Sequence, residues 1–165
     1  MSHSQLPFAM PAADGVAAPR VRDAGRESLH AERWVELYAR VPLGAAFLST
    51  VASRFGVWDG TLDLTHFSGF LEYTAEVNAF MPPVTVPFLA WAATVAETSL
   101  GILLISGVWP RWVALASAIL LAMFATAMAM SLGLKSPMDY SVFSASAAAG
   151  LLAQRAFAEN RGGVR

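Results

Sequence analysis

Glu97 is the residue whose placement most directly implies chemistry. It is the only charged residue in the run from Val77 to Pro110. Counted from a helix start at Val84, the helical rise carries it about 20 Å inward. A carboxylate at that depth in an apolar helix is costly and must face a protein interior or a wet cavity. Two roles stay open: a proton-handling or ligand-binding carboxylate, and an interior ion pair or hydrogen bond that sets helix register. The partner expected from depth is Arg40, in the inner third of the first apolar segment, with Glu36 competing for it one helical turn away. Arg54, at the outer end of that segment, is expected to lie too far out to reach Glu97.

A second group, Arg54, Lys135, Asp139 and Tyr140, is expected at the outer rim. It reads as a helix cap plus interfacial anchors, or as one wall of a polar pocket. The three histidines, His3, His30 and His66, have no ligand spacing, so no metal site is expected. The absence of cysteine excludes disulfides, thiolate ligands and thiol redox chemistry from this chain. No Gly-rich phosphate loop, zinc-protease signature or nucleophile elbow is present.

The elements that must hold these residues follow from the distribution of charge. The chain has 165 residues, of which 56% are hydrophobic and only 14% charged, against about 25% charged in a soluble domain. From Val84 to Gln154 the charged residues are Glu97, Arg111, Lys135 and Asp139 alone. The pattern predicts an all-α integral membrane four-helix bundle, with helices at about 34–56, 84–108, 112–134 and 140–158 as one domain over 33–158. The first and fourth segments are short for the ~20 residues a span needs, and Arg40, Arg54 and Arg155 are placed to snorkel. Residues 1–32, rich in Ala, Pro, Gly and charge, read as a disordered cytoplasmic tail, and 159–165 as a second tail. The stretch after Met1 lacks the basic and apolar regions of a secretory signal, so the first segment is expected to be an uncleaved anchor.

Short connections at Gly107–Arg111 and Gly133–Pro137 make sequential helices antiparallel neighbours. Arg20, Arg22, Arg26, Arg33, Arg40, Arg111, Arg155, Arg161 and Arg165 fall on one side, against Arg54 and Lys135 on the other. Both termini are therefore expected to be cytoplasmic. The intervening loop faces the periplasm and carries a short amphipathic helix over His66–Met81, with Phe67, Phe70, Leu71, Thr74, Val77 and Met81 on one stripe and Glu72 and Glu76 opposite. Small residues recur on the spans: Gly44 on the first, Ala114, Ala118, Ala122, Ala125 and Ala129 on the third, and Ser146 with Gly150 on the fourth. Such faces permit close helix approach, within the bundle or against another subunit. The near-neutral charge of −1 weighs against nucleic acid as a partner.

Several segments taken in order resemble the DoxX family of small four-helix bacterial inner-membrane proteins. They are Arg40-Val41-Pro42-Leu43-Gly44, then Phe70-Leu71-Glu72-Tyr73-Thr74 with Asn78-Ala79-Phe80-Met81-Pro82, then Ala96-Glu97-Thr98-Ser99-Leu100-Gly101, and finally Lys135-Ser136-Pro137-Met138-Asp139-Tyr140. The likeness covers about Arg33 to Ala158. It implies an inner-membrane location and places the family's intramembrane Glu at Glu97 and its first-helix Arg at Arg40. Some relatives are subunits of a thiosulfate:quinone oxidoreductase. The function expected from the resemblance is a non-catalytic subunit or scaffold of a membrane redox complex, with a redox-complex protein or a second copy as partner in the bilayer. The alternative is a quinone-interacting subunit using Glu97 and Arg40. No covalently bound cofactor is expected. A small-molecule or proton carrier is the third reading, and it lacks the internal repeat or broken-helix pair of transporters.

Overall fold

The computed structural model of the chain describes residues 18–60 and 62–162, and among them there are helices and turns but no strands. The chain divides into two units, Met1–Trp34 and Val35–Arg165. Of the first unit, the helical backbone from Ala18 onward is described. The expected tail over 1–32 thus lies outside the described residues as far as residue 17, and helix α1, Ala18–Arg54, begins well ahead of the expected start at Trp34. Arg161 and Arg165, counted in the charge bias, lie where no side chain is described.

In the second unit the elements after α1 are α2 (Phe67–Val77), α3 (Val86–Ser106), α4 (Pro110–Leu132), α5 (Lys135–Asp139) and α6 (Val142–Gly162). Local chemistry explains their ends. Pro87 and Pro110 sit in the first turns of α3 and α4, where a missing N–H leaves no helical bond unmade. Gly107 ends α3 at φ 74° and donates its N–H to the Leu103 carbonyl, a left-handed cap that glycine adopts without strain. The α3–α4 connection is tight enough to hold Trp109 at φ 47° as well. Two boundaries differ from the sequence reading. Lys135–Asp139 forms α5 where a plain loop was expected, and α6 opens at Val142 rather than at Asp139 or Tyr140. Asp139 is therefore the last residue of α5 and does not cap α6. The segments Pro83–Ser106 and Pro110–Leu132 are long and apolar enough to cross a membrane.

The core is built where α1, α3, α4 and α6 meet, around Phe47, Leu104, Val113, Leu121 and Ala149. Two close approaches organise it. On α1 and α3, Gly44 lies against Gly101: a Cβ on Gly44 would stand 2.8 Å from the Gly101 carbonyl oxygen. On α4 and α6, alanines take the same part. Ala114, Ala125, Ala149 and Ala153 are buried, and the Ser146 hydroxyl donates to the Ala118 carbonyl at 2.9 Å. The alanine row on α4 is split by this packing, since Ala122 stays exposed. A Cβ on Gly150 would meet nothing within 4 Å, so this glycine is not part of the close approach.

Candidate functional site

The site grows from the register that Gly44 and Gly101 impose. With these two residues opposed and the helices antiparallel, each step toward the C-terminus of α1 is matched by a step back along α3. Ten such steps bring Arg54 level with Trp91, not with the start of α3, and its side chain reaches back to Thr94. From Trp91, α3 continues five residues back to its start at Val86, about 8 Å. The end of α1 is recessed by that distance, and α2 lies over the recess. Phe67 of α2 packs on Phe55 and Trp91 at ring separations of 5.7 and 4.6 Å, and the Phe70 ring covers the Arg54 guanidinium at 3.7 Å.

In this recess the charged residues meet. Arg54 Nη2 donates to Glu97 Oε1 at 2.6 Å and Nη1 donates to Thr94 Oγ1 at 2.9 Å. The Thr50 hydroxyl stands 2.7 Å from Glu97 Oε2 and 2.8 Å from the Phe47 carbonyl oxygen, so its one proton is shared between these acceptors. Glu97 is only 2% exposed and the Arg54 side chain 9%. Both carboxylate oxygens therefore have a donor, and the guanidinium has a carboxylate, a hydroxyl and an aromatic face. A buried ion pair survives desolvation only when its remaining hydrogen-bonding capacity is met in this way.

The expected Arg40–Glu97 pair does not form. Arg40 lies on the other side of Gly44, against Gly107, whose added Cβ would stand 2.8 Å from Arg40 Nη2. Ten residues of α3, about 15 Å, separate that point from Glu97. Arg40 instead pairs with Glu36 at 3.1 Å, the competitor, and its positive charge sits at the negative C-terminal end of α3. The rim group also separates. Arg54 belongs to the buried clamp, Lys135 and Asp139 pair with each other along exposed α5, and Tyr140 lines a cleft. Sequence reasoning missed Thr50 and Thr94. Thr50 lies four residues before Arg54 and Thr94 three before Glu97, but each bonds the charge on the opposite helix, a relation that spacing along the chain does not carry.

His66 lies on the surface within 3.8 Å of Asp59 and 4.0 Å of Asp63. The Thr65 hydroxyl and N–H both donate to Asp63, and these bonds hold its carboxyl below the ordinary range. Among the described residues no group of three or more His, Asp or Glu side chains could hold a metal ion.

Beside the clamp runs a cleft of about 1150 Å³. It lies between the α1/α3 pair and the α4/α6 pair, with α2 along one end. Leu43, Phe47, Ala93, Ala96, Ile119 and Met123 give it apolar walls, and Thr50 and Glu97 reach its deep side. Met123 and Met130 line it, while Met128 lines it and is buried in the α4 packing.

Apolar side chains exposed along α3 and α4, among them Phe88, Val95, Ile102, Ile119 and Met123, together with a charge pair sealed between helices, define a helical membrane protein. The family of the methylamine utilisation protein MauE matches residues 32–139, and the chain belongs to that family. This corrects the DoxX assignment. The ordered segments that suggested DoxX fall largely within the matched region and are short and loosely specified, so they did not discriminate between families of small helical membrane proteins. No curated protein and no solved structure matches the chain.

Proposed function

We propose that this chain is a non-catalytic accessory protein of a membrane redox system of the methylamine-utilisation kind. The family description supports the redox setting. The single observation that carries the accessory role is the clamp. The deep carboxylate, the residue best suited to chemistry, has both oxygens occupied in holding α1 on α3. In this reading α1, α3, α4 and α6 cross the bacterial inner membrane as a bundle. The arginine bias puts both termini in the cytoplasm, and α2 covers the periplasmic end. The exposed apolar faces of α3 and α4 meet lipid, a redox-complex partner or a second copy.

Removing the chain from a methylamine-using bacterium tests the proposal. Growth on methylamine should fail and return with the wild-type chain, while growth on other nitrogen sources is unaffected. Purified chain alone should pass no electrons from amine to acceptor. Unaltered growth, or turnover by the purified chain, would overturn the reading.

The cleft favours a second reading, a quinone-interacting subunit. A quinone site needs an apolar slot with a few polar contacts, and the slot here passes Thr50 and Glu97. In that case Glu97→Gln should abolish quinone reduction by the assembled system without removing the chain from the membrane. Retained quinone reduction would sink it.

A further inference from the structure

The deep wall of the cleft and its α2 end offer different things to a ligand. In the deep wall, Thr50 donates to Glu97, and Arg54 takes the other carboxylate oxygen. Little hydrogen-bonding capacity is left there, so the deep cleft presents an apolar surface. At the α2 end, Tyr73 and Tyr140 line the opening, and among the described residues neither phenol has a hydrogen-bond partner. Burial pushes the Tyr73 phenol up, with Tyr140 and Glu76 adding to the effect, so it stays a proton donor. The cations in this part of the molecule are already engaged, Lys135 by Asp139 and Arg54 by Glu97. The opening therefore offers neutral donors rather than an anion site.

The dimensions add a second constraint. Along α4 the cleft extends from Met130 to Ile119, about 16 Å at the helical rise. This matches half of a ~30 Å hydrocarbon core, the depth of one leaflet. Its volume of about 1150 Å³ exceeds the ~300–1,000 Å³ of ordinary small-molecule pockets. Tyrosines at one end of an apolar slot one leaflet long lie where the membrane interface would be.

We infer that the cleft binds one membrane-resident molecule with a long apolar chain and a carbonyl-bearing head, the chain running toward Ile119 and the carbonyls accepting hydrogen bonds from Tyr73 and Tyr140. The inference rests on the helices standing across the bilayer and not on the redox association. Ester glycerolipids and isoprenoid quinones both present this chemistry.

The test uses the full chain purified in detergent and titrated, with native mass spectrometry as readout, against three probes: a diacyl phosphatidylglycerol, its dialkyl ether analogue without carbonyls, and decylubiquinone. The ester lipid, the quinone or both should bind, and the ether analogue should bind about ten-fold more weakly, as expected for the loss of one or two hydrogen bonds. Tyr73→Phe with Tyr140→Phe should bring the carbonyl-bearing probe down to the ether level, and Ala93→Phe should abolish binding by filling the slot. The tighter of the two carbonyl probes identifies the source. Equal binding of ester and ether lipids with no quinone binding, or no response to the tyrosine changes, would overturn the inference, and the mild tyrosine variants keep it testable if Ala93→Phe does not fold. Release of the chain from membranes by an alkaline carbonate wash would instead refute the embedding on which the inference rests.

Discussion

The Arg54 guanidinium stands 2.6 Å from the Glu97 carboxylate because Gly44 and Gly101 let α1 and α3 approach with the end of α1 short of the start of α3. The pair is sealed by Thr94, Thr50 and Phe70, so each charge is compensated only while the other is present.

Glu97→Leu or Arg54→Met alone should therefore destabilise the fold by ~3–5 kcal/mol, the cost of an orphaned buried charge. The double variant should recover most of that loss, because two apolar side chains replace a pair that must itself be desolvated. Reversible unfolding in mixed micelles reads this directly. Additive losses in the double variant would contradict the clamp, as would strong coupling between Arg40 and Glu97.

Gly44→Ala should cost about 1–3 kcal/mol, since its Cβ meets a backbone oxygen and forces the helices apart. Gly101→Ala meets the Leu48 side chain at 2.9 Å and the Gly44 carbonyl oxygen at 3.0 Å, a slightly wider backbone approach than that of Gly44→Ala, so the loss should be somewhat smaller. Gly150→Ala meets nothing and should stabilise α6 by ~0.5–1 kcal/mol through helix propensity alone. Thermal unfolding of the three variants should follow that order.

Thr50→Val keeps the shape of the side chain and removes the donor to Glu97 Oε2. A loss of about 1–3 kcal/mol is expected from leaving a charged acceptor short of a partner, and Thr50→Ser should restore most of it. Equal stability of Thr50→Val and wild type would show that Glu97 does not depend on this hydroxyl.

Asp63 provides a local pH effect. Its carboxyl accepts from the Thr65 hydroxyl and N–H and is held below its ordinary value of 3.8. A lowered folded-state value means that the turn is supported above that ordinary value and loses support as the pH falls through the lowered one. Amide exchange at Thr65 should speed up in that acid range in wild type, and Asp63→Ala should exchange at the fast rate throughout. Protection that does not vary with pH would contradict the assignment. The carboxyl lies at the surface, where solvent screens it, so global stability should hardly change.

Much of the architecture was legible because it depends on local pattern. The charge-free runs over α3 and α4, the Pro starts and Gly107 stop, and the period of Phe67, Thr74 and Val77 on α2 each state their element without reference to the rest of the chain. The close-approach role of Gly44 was legible for the same reason, as was the depth of Glu97. The pairing of Glu97 was not. Reading it required assuming that the outer ends of the first two long helices are level, and that assumption put Arg54 out of reach and Arg40 at the right height.

The sequence by itself determined that Glu97 must be buried and must find a donor, because a carboxylate amid uncharged helical residues has no other tolerable state. Only the tertiary structure decided which donor. Helical rise fixes positions along one helix, but the offset between two helices depends on which surfaces fit, and here two glycines in contact set it. That offset recesses the end of α1, brings Arg54 and Thr50 to Glu97, leaves Arg40 at the far end of α3, and leaves α2 to cover the recess.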